Sequence, residues 1–541
     1  MNRTINVFIK TLFLFSFVLH SCWDLFKNKN NDKIRSNIVK SYQMGKMKEA
    51  YDLIEEHFTY DQKKPGDYFI QIKILLFLRE FDKAQTLIEE LQARDLCFDK
   101  LLKDELRVLK EDLEKEKEIY VQDLATHADA AHTREFLKYL YDHNCCSNSM
   151  NIFYNKYNVR GLKATKDIKA KDTIIFVDKS LLLTDSKAND YIVQKLATDD
   201  DKNQGDIFMS CLEYPKTSSL AIFILEHRHD VEYEQYFNII FSNDYSSFPY
   251  FFDAKTRDIL CGTTALEKIK EKEYTILHDW NEMQKTEAFK QYSYEDFKKA
   301  FCGVLSRTYS ITVSPQEHGS CLAPFMDLEN HNKETNTRWF FDQKDQHFKL
   351  VATKDIQKGE ELLTSYGPIK SNTELLYTYG FALEDNKDNA NIFINYKGSL
   401  YKCTDNVSKS SDNSGESELG NLLYRIYNDC DKKDKNARLK ATFNTLLELC
   451  YQIFKNRIYN MNIIQKLLQD EKDTLSFNEK NCYYIVIEEQ EIVKKIIYKL
   501  EEVVKTLAQD PSGDHLVTQL LSSKLFTDPE IVFLKEFTQE E

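Results

Sequence analysis

The segment Pro324-Phe325-Met326-Asp327-Leu328-Glu329-Asn330-His331, read with the downstream run Gly359-Glu360-Glu361-Leu362-Leu363-Thr364-Ser365-Tyr366-Gly367, decides how this chain is understood. An adjacent Asn-His sets an amide and an imidazole near one point, so donors and acceptors converge there. Tyr366 beside Gly367 presents a phenol where backbone can approach closely. Such a group suits a polar cofactor bound beside an aromatic-lined reaction channel. Each piece alone is a weak signal, since a lone His is usually a structural residue, a Tyr-Gly pair a strand end, and Asp327 a turn cap. Their order and combination carry the reading.

Outward from this segment, Leu162-Lys163-Ala164-Thr165-Lys166-Asp167-Ile168 is echoed by Leu350-Val351-Ala352-Thr353-Lys354-Asp355-Ile356 at an offset of 352 − 164 = 188 residues. Each copy runs into a Lys-rich turn and a hydrophobic strand. The offset is far too long for a solenoid, so the echo predicts two strand-turn-strand units of one discontinuous β-domain with helical residues inserted between them. The period changes at Asn158, and strand pattern fills Val159 to Thr184, with Ile174-Ile175-Phe176-Val177 and Leu181-Leu182-Leu183 as strands. It resumes near Arg338 and ends by Tyr366.

Helical periodicity occupies Tyr191 to Ala300 and returns after a polar linker, Thr404 to Gly420. It also fills the chain before the β-domain from Ile34. There Ala50, Leu53, Ile54, Glu55 and Glu56 recur as Ala84, Leu87, Ile88, Glu89 and Glu90, an offset of 84 − 50 = 34, the length of a tetratricopeptide helix pair. Chance similarity of two helices is the alternative. Two imperfect copies cannot stand alone as a solenoid, so they are expected to pack on their neighbours.

The 541 residues are 42% apolar and 13% aromatic with only 14 Gly and 8 Pro, which excludes a mainly disordered or collagen-like chain. Lys and Arg number 73 against 87 Asp and Glu, a formal charge of −14, so direct nucleic-acid binding is not expected. None of the 12 Cys forms a Cys-x-x-Cys pair or has structural-zinc spacing. Scattered cysteines read as reduced, which points to a cytoplasmic or nuclear setting. Residues 1–23 pull the other way: Arg3 and Lys10 precede the apolar run Leu12 to Leu19, which resembles a signal-peptide core and leaves a secretory route as the alternative. The run is too short to span a bilayer, and no membrane association is expected unless this segment is retained.

In combination and order these motifs resemble the SET-domain protein methyltransferases. Arg160-Gly161-Leu162 with Ala164 to Ile168 is similar to the family's opening cofactor motif, Asn330-His331 to its NH motif, and Gly359 through Tyr366 to its closing motif with the catalytic tyrosine. The insert, with Ser219-Leu220-Ala221-Ile222-Phe223-Ile224-Leu225-Glu226, Tyr236, Phe248-Pro249 and Leu260-Cys261-Gly262-Thr263, resembles that of the Rubisco large-subunit methyltransferase-like subfamily. The helical block from Leu422 to Phe537 resembles that subfamily's substrate-binding domain in type. The likeness covers roughly residues 158 to 500. Arg160 and a single Gly stand where many members have an acidic residue or a second Gly.

The resemblance implies an α+β fold: residues 1–33 an N-terminal apolar segment, 34–157 a helical tetratricopeptide-like region, 158–190 the first part of the SET domain, 191–300 the helical insert, 301–400 the second part, and 421–541 a C-terminal helical substrate-binding domain. It implies S-adenosyl-L-methionine as cofactor and no metal. Tyr366 would be catalytic; Arg160, Gly161 and Leu162 would hold the cofactor's methionine end by backbone, Asn330 and His331 its adenine-proximal part, and Arg307 matches the family's cofactor-binding arginine between insert and NH motif. Phe381 would pack on the adenine, ordinary core packing being its other reading, and Tyr309 and Met326 would line the substrate channel. The implied activity is protein-lysine N-methylation by a monomer acting on a histone or non-histone protein with a target lysine. Two alternatives stay open: protein-histidine N-methylation, whose branch has Asn and Trp where this chain has Tyr309 and Met326, and a non-catalytic SET and helical-repeat interaction protein.

Overall fold

The computed structural model describes residues 29–93, 100–127, 129–155, 159–197, 203–314, 317–386, 389–404, 418–432, 434–455, 461–470 and 474–509. The apolar N-terminal run, Asn158, most of the polar linker and the C-terminal end at Phe537 lie outside the described residues. The chain divides into two compact units, one of residues up to 209 with 216–243 and 307–366, the other of 210–215, 244–306 and everything from 367 onward.

The first unit opens with helices α1 (Lys29–Gln43), α2 (Met47–His57), α3 (Pro65–Phe77), α4 (Phe81–Ala93), α5 (Lys100–Thr126) and α6 (Ala130–Asp142). The turn between α1 and α2 is made by Gly45 at φ +74°, where an added Cβ would fall 2.0 Å from the Cys146 carbonyl oxygen. Pro65 starts α3 where its missing N–H costs nothing, and the Asp67 carboxylate accepts the Lys64 N–H at 2.9 Å. The 34-residue echo has a physical basis: Ala50 and Ile54 in α2, and Ala84 and Ile88 in α4, are fully buried, each pair at the same place in the second helix of a helical hairpin. Among the described residues, the next helix, α5, is one unbroken run of 27 residues in place of a third short hairpin.

The strands of this unit are β1 (Met150–Tyr154), β2 (Arg160–Ala164), β3 (Thr173–Asp178), β4 (Leu183–Thr184), β5 (Tyr309–Ser314), β6 (Glu317–Leu322), β7 (Asn330–His331), β8 (Thr337–Asp342), β9 (His347–Ala352) and β10 (Leu363–Thr364). They form small sheets: β1 with β2, β3-β9-β8, β4-β6-β5, and the parallel pair β7 with β10. The helices α7 (Asp185–Leu196), α8 (Gln204–Cys211), α9 (Pro215–Glu226) and α10 (Glu234–Phe241) are inserted between β4 and the later strands. The N-terminal helices and these strands belong to one compact unit, so the boundary expected near 157 does not fall between units.

The two echoed turns meet. Ile168 and Ile356 bridge each other through both backbone groups, at 2.8 and 2.9 Å. Asp167 Oδ1 accepts the N–H of Lys358, and Asp355 Oδ1 accepts the N–H of Ala170, each at 2.9 Å. Since 355 − 167 and 358 − 170 are both 188, each copy caps the turn of the other in a local twofold.

Several strand assignments differ from the sequence pattern, the hairpin at 392–403 beyond Tyr366 among them. Leu181 lies in a 3₁₀ turn, because the Asp178 carboxylate accepts the Ser180 N–H at 2.9 Å and curls the chain before β4 can begin. β1 precedes Asn158, its five residues being too few for a period to register against the helix before it. β5 and β6 lie well before Arg338; their Ser, Thr and His content hides the apolar alternation.

The second unit holds α11 (Ala254–Ile259), α12 (Thr264–Gln284), most of α13 (Tyr294–Arg307), α14 (Asn372–Tyr379), the hairpin β11 (Ile392–Tyr396) and β12 (Ser399–Cys403), then α15 (Leu419–Asn428), α16 (Lys435–Lys455), α17 (Met461–Asp470) and α18 (Phe477–Gln509). The hairpin lies in the span assigned from sequence to the second SET segment, yet Ile392 and Ile394 are buried in one core with Phe443, Ile496 and Leu500 of the late helices. The buried Glu489 of α18 accepts the N–H groups of Thr264 and Ala265 at 2.9 and 2.6 Å, satisfying the start of α12.

Candidate active site

Parallel pairing of β7 with β10 sets Leu363 opposite Asn330 and Thr364 opposite His331, which carries the chain directly into Tyr366 beside the imidazole. Asn336 locks the pair, its amide donating to the Glu361 carbonyl and its Oδ1 accepting from Leu363 N–H, both at 2.8 Å. The Tyr366 N–H donates to His331 Nδ1 at 3.0 Å. An accepting Nδ1 requires the neutral ring with its proton on Nε2. Burial, with Lys333 adding to it, pushes the His331 pKa down to about 4, in agreement. The two ring centroids are 5.3 Å apart, and the Tyr366 hydroxyl donates to the Glu329 carbonyl oxygen at 2.6 Å.

β2 closes on the same point. Asn330 Nδ2 donates to Glu361 Oε1 at 2.8 Å and to the Arg160 carbonyl at 3.3 Å, while Leu362 N–H donates to the Leu162 carbonyl at 2.8 Å. A Cβ on Gly161 would stand 2.6 Å from Asn330 Nδ2 and 2.8 Å from Glu361 Oε1, so only glycine admits this approach. The structure thus brings Arg160, Gly161, Leu162, Asn330, His331 and Tyr366 together across gaps of 330 − 162 = 168 and 366 − 331 = 35 residues.

The Arg160 side chain is spent elsewhere. It is 7% exposed, and its guanidinium donates to Asp129 Oδ2 at 2.7 Å and to the Ile239 carbonyl at 2.9 Å. Burial, then the nearby Arg307, lowers its pKa from the ordinary guanidinium value. Asp129, just before α6, also accepts the Tyr154 hydroxyl at 2.7 Å. Sequence reasoning missed Asp129, since nothing in its neighbours marks it.

The turn before β7 is strained. Phe325 is fully buried at φ +75° and ψ −48°, a conformation rare outside glycine, and its ring packs edge-on to Phe77 of α3 at 6.2 Å. Arg307 donates to the Asp327 carbonyl at 2.9 Å, and Asp327 Oδ2 accepts the Tyr236 hydroxyl at 2.7 Å. Burial raises the Asp327 pKa, with Arg307 opposing it. The Tyr309 hydroxyl donates to the Met326 carbonyl at 2.9 Å, and its ring meets Trp339 and Phe348 edge-on at 5.0 and 5.1 Å. The Met326 side chain is fully buried. Phe381 belongs to the second unit, where its half-buried ring lies 6.3 Å from Tyr379.

Residues 159–367 match the family model of the SET domain. Over 242 residues the chain is 26% identical to the actin-histidine N-methyltransferase of Danio rerio, covering 42% of this chain and 38% of that one; the human protein of the same name is 25% identical over 241 residues. The chain therefore spans well under half the length of these curated relatives. Among solved structures, the SET domain of LSMT bound to lysine and AdoHcy superposes with a TM-score of 0.56 at 16% identity, covering 71% of this chain and 93% of that one. Rubisco LSMT bound to AdoMet gives 0.54 at 17% identity, covering 70% and 93%. At such identities the likeness shows the fold.

Proposed function

We propose that this chain, which carries a SET domain with the fold of Rubisco LSMT, is a protein N-methyltransferase that draws its methyl group from S-adenosylmethionine and delivers it to a lysine side chain of a protein substrate. The observation that carries the reading is the convergence of Gly161, Asn330, His331 and Tyr366 on one place. The residues present fit such a cofactor. The glycine lets Asn330 and Glu361 close on β2, and the accepting Nδ1 of His331 puts the imidazole proton on Nε2, a donor suited to a polar cofactor. Arg160, Gly161 and Leu162 would hold it through their backbone, with Asn330 and His331 beside them and Arg307 bracing the turn at Asp327.

When bound, the cofactor supplies a methyl already activated on a positive sulfur. The chain's own work is then alignment. An attacking amine must be neutral, since an ammonium has no lone pair, and the partly dry channel that Tyr309 would line disfavours its charged form. Tyr366, its hydroxyl anchored on the Glu329 carbonyl, is assigned to orient the amine and polarise the methyl.

Lysine is the acceptor supported by the aromatic Tyr309, which by the resemblance stands where the histidine-directed branch carries Asn. Histidine is the second reading, favoured by the names of the Danio rerio and human relatives. The test is incubation of the purified chain with tritiated S-adenosylmethionine and either a whole-cell protein extract or purified actin, followed by mass spectrometry of the labelled peptides. Label on lysine is expected; label on histidine replaces the first reading by the second, and no binding of the cofactor in a direct titration removes both.

A further inference from the structure

Glu329 immediately precedes the Asn-His pair, its backbone carbonyl accepts the Tyr366 hydroxyl, and its side chain is buried to 2% exposure. Its Oε1 lies 2.7 Å from Thr337 Oγ1, which lies 3.0 Å from the carbonyl of Leu363, the residue that opens β10 toward Tyr366. Its Oε2 has no partner among the described residues.

Proton bookkeeping fixes the state of this chain of groups. Thr337 has one hydroxyl proton, and the Leu363 carbonyl can only accept. Were Glu329 ionised, two acceptors would claim that single proton, and a buried carboxylate would be left with at most one neutral hydrogen bond. As a neutral acid, Glu329 donates to Thr337 Oγ1, and Thr337 donates to Leu363 O. Every proton is then used, and the orphaned Oε2 is a neutral carbonyl oxygen, far cheaper to bury than a charged one.

We propose that Glu329 is a positioning residue whose protonated side chain, relayed by Thr337, ties the strand that delivers Tyr366 to the segment that anchors the Tyr366 hydroxyl. The proposal rests on the methyltransfer reading above. The groups around it do not neutralise a charge there. Tyr309 and Tyr366 are phenols, His331 is neutral, the buried Asp327 is acidic, and Arg307 is engaged with Asp327. Burial, opposed only by the Thr337 hydrogen bond, accordingly raises the Glu329 pKa to about 8.

Above that pH the relay opens, and alignment of Tyr366 loosens with it. The initial rate of tritium transfer from saturating S-adenosylmethionine should therefore fall on the alkaline side of pH 8, where a free amine acceptor would otherwise react faster. Glu329→Leu should lower the rate about 10- to 100-fold below pH 8 and show no alkaline fall of its own. Glu329→Gln, whose amide can donate to Thr337 without titrating, should recover most of it and abolish the alkaline fall.

A second readout needs no catalysis. The folded pKa lies above the unfolded carboxyl value near 4.5, so the acid's contribution to stability is complete below pH 4.5 and lost as pH rises through 8. The Tm of Glu329→Gln should gain on wild type steadily between pH 5 and 8. A Tm difference that stays constant with pH, or an alkaline fall preserved in Glu329→Gln, overturns the proposal. A widening Tm difference in a chain that fails to bind S-adenosylmethionine overturns the methyltransfer reading, and the positioning role with it.

Discussion

The Tyr366 N–H donates to His331 Nδ1 at 3.0 Å, so the imidazole fixes the backbone that presents the phenol as well as lying beside its ring. One residue thereby serves both halves of the candidate site.

His331→Ala should remove that acceptor and destabilise the fold by about 1–3 kcal/mol, read by chemical denaturation, while weakening S-adenosylmethionine binding in a direct titration. The pH signature has a definite sign. The folded pKa of about 4 lies below the unfolded 6.5, so the wild-type contribution is complete above 6.5 and is lost as pH falls toward 4. The Tm of the variant should be flatter than that of wild type over this window.

Gly161→Ala places a methyl within 3 Å of both Asn330 Nδ2 and Glu361 Oε1. The hydrogen bond between those two side chains must then yield, at a cost of about 1–3 kcal/mol. Cofactor binding should fall with it, and calorimetric titration beside a melting curve checks both.

Tyr366→Phe keeps the ring and deletes the hydroxyl that donates to the Glu329 carbonyl. Cofactor affinity should stay close to wild type while kcat drops by ~10²–10³, the scale for loss of one preorganised polar group. Single-turnover kinetics with the labelled cofactor separate the two quantities.

Asp129→Ala strands the guanidinium of Arg160 in a buried setting where its carboxylate partner was 2.7 Å away. A loss of about 3 kcal/mol is expected, read as a lowered denaturation midpoint, because removing one partner of a buried pair leaves the other charge uncompensated.

Much of this was legible in the sequence because it depends on local chemistry repeated or adjacent along the chain. The 188-residue echo reported the meeting of two turns, and Asp167 and Asp355, each in its own copy, are the residues that cap them. Asn330-His331 and Tyr366 were visible as motifs. What stayed hidden was decided by distant partners. Asp129 is one acidic residue among many until Arg160 folds against it, and Glu329 looks like any surface carboxyl until burial makes it an acid. β5 and β6 were missed because polar strands gain their order from pairing, which a single strand's pattern does not display.

The edge-on packing of Phe77 against Phe325 joins residues 325 − 77 = 248 positions apart, and it braces a backbone that would relax if unheld. During synthesis the α3 helix leaves the ribosome long before the turn it supports. The earlier-made helix thus serves as a mould for a later segment. Amino-terminal truncation would take away that mould, leaving a chain that retains every motif residue around Asn330 and His331 but lacks the surface against which they acquire their shape.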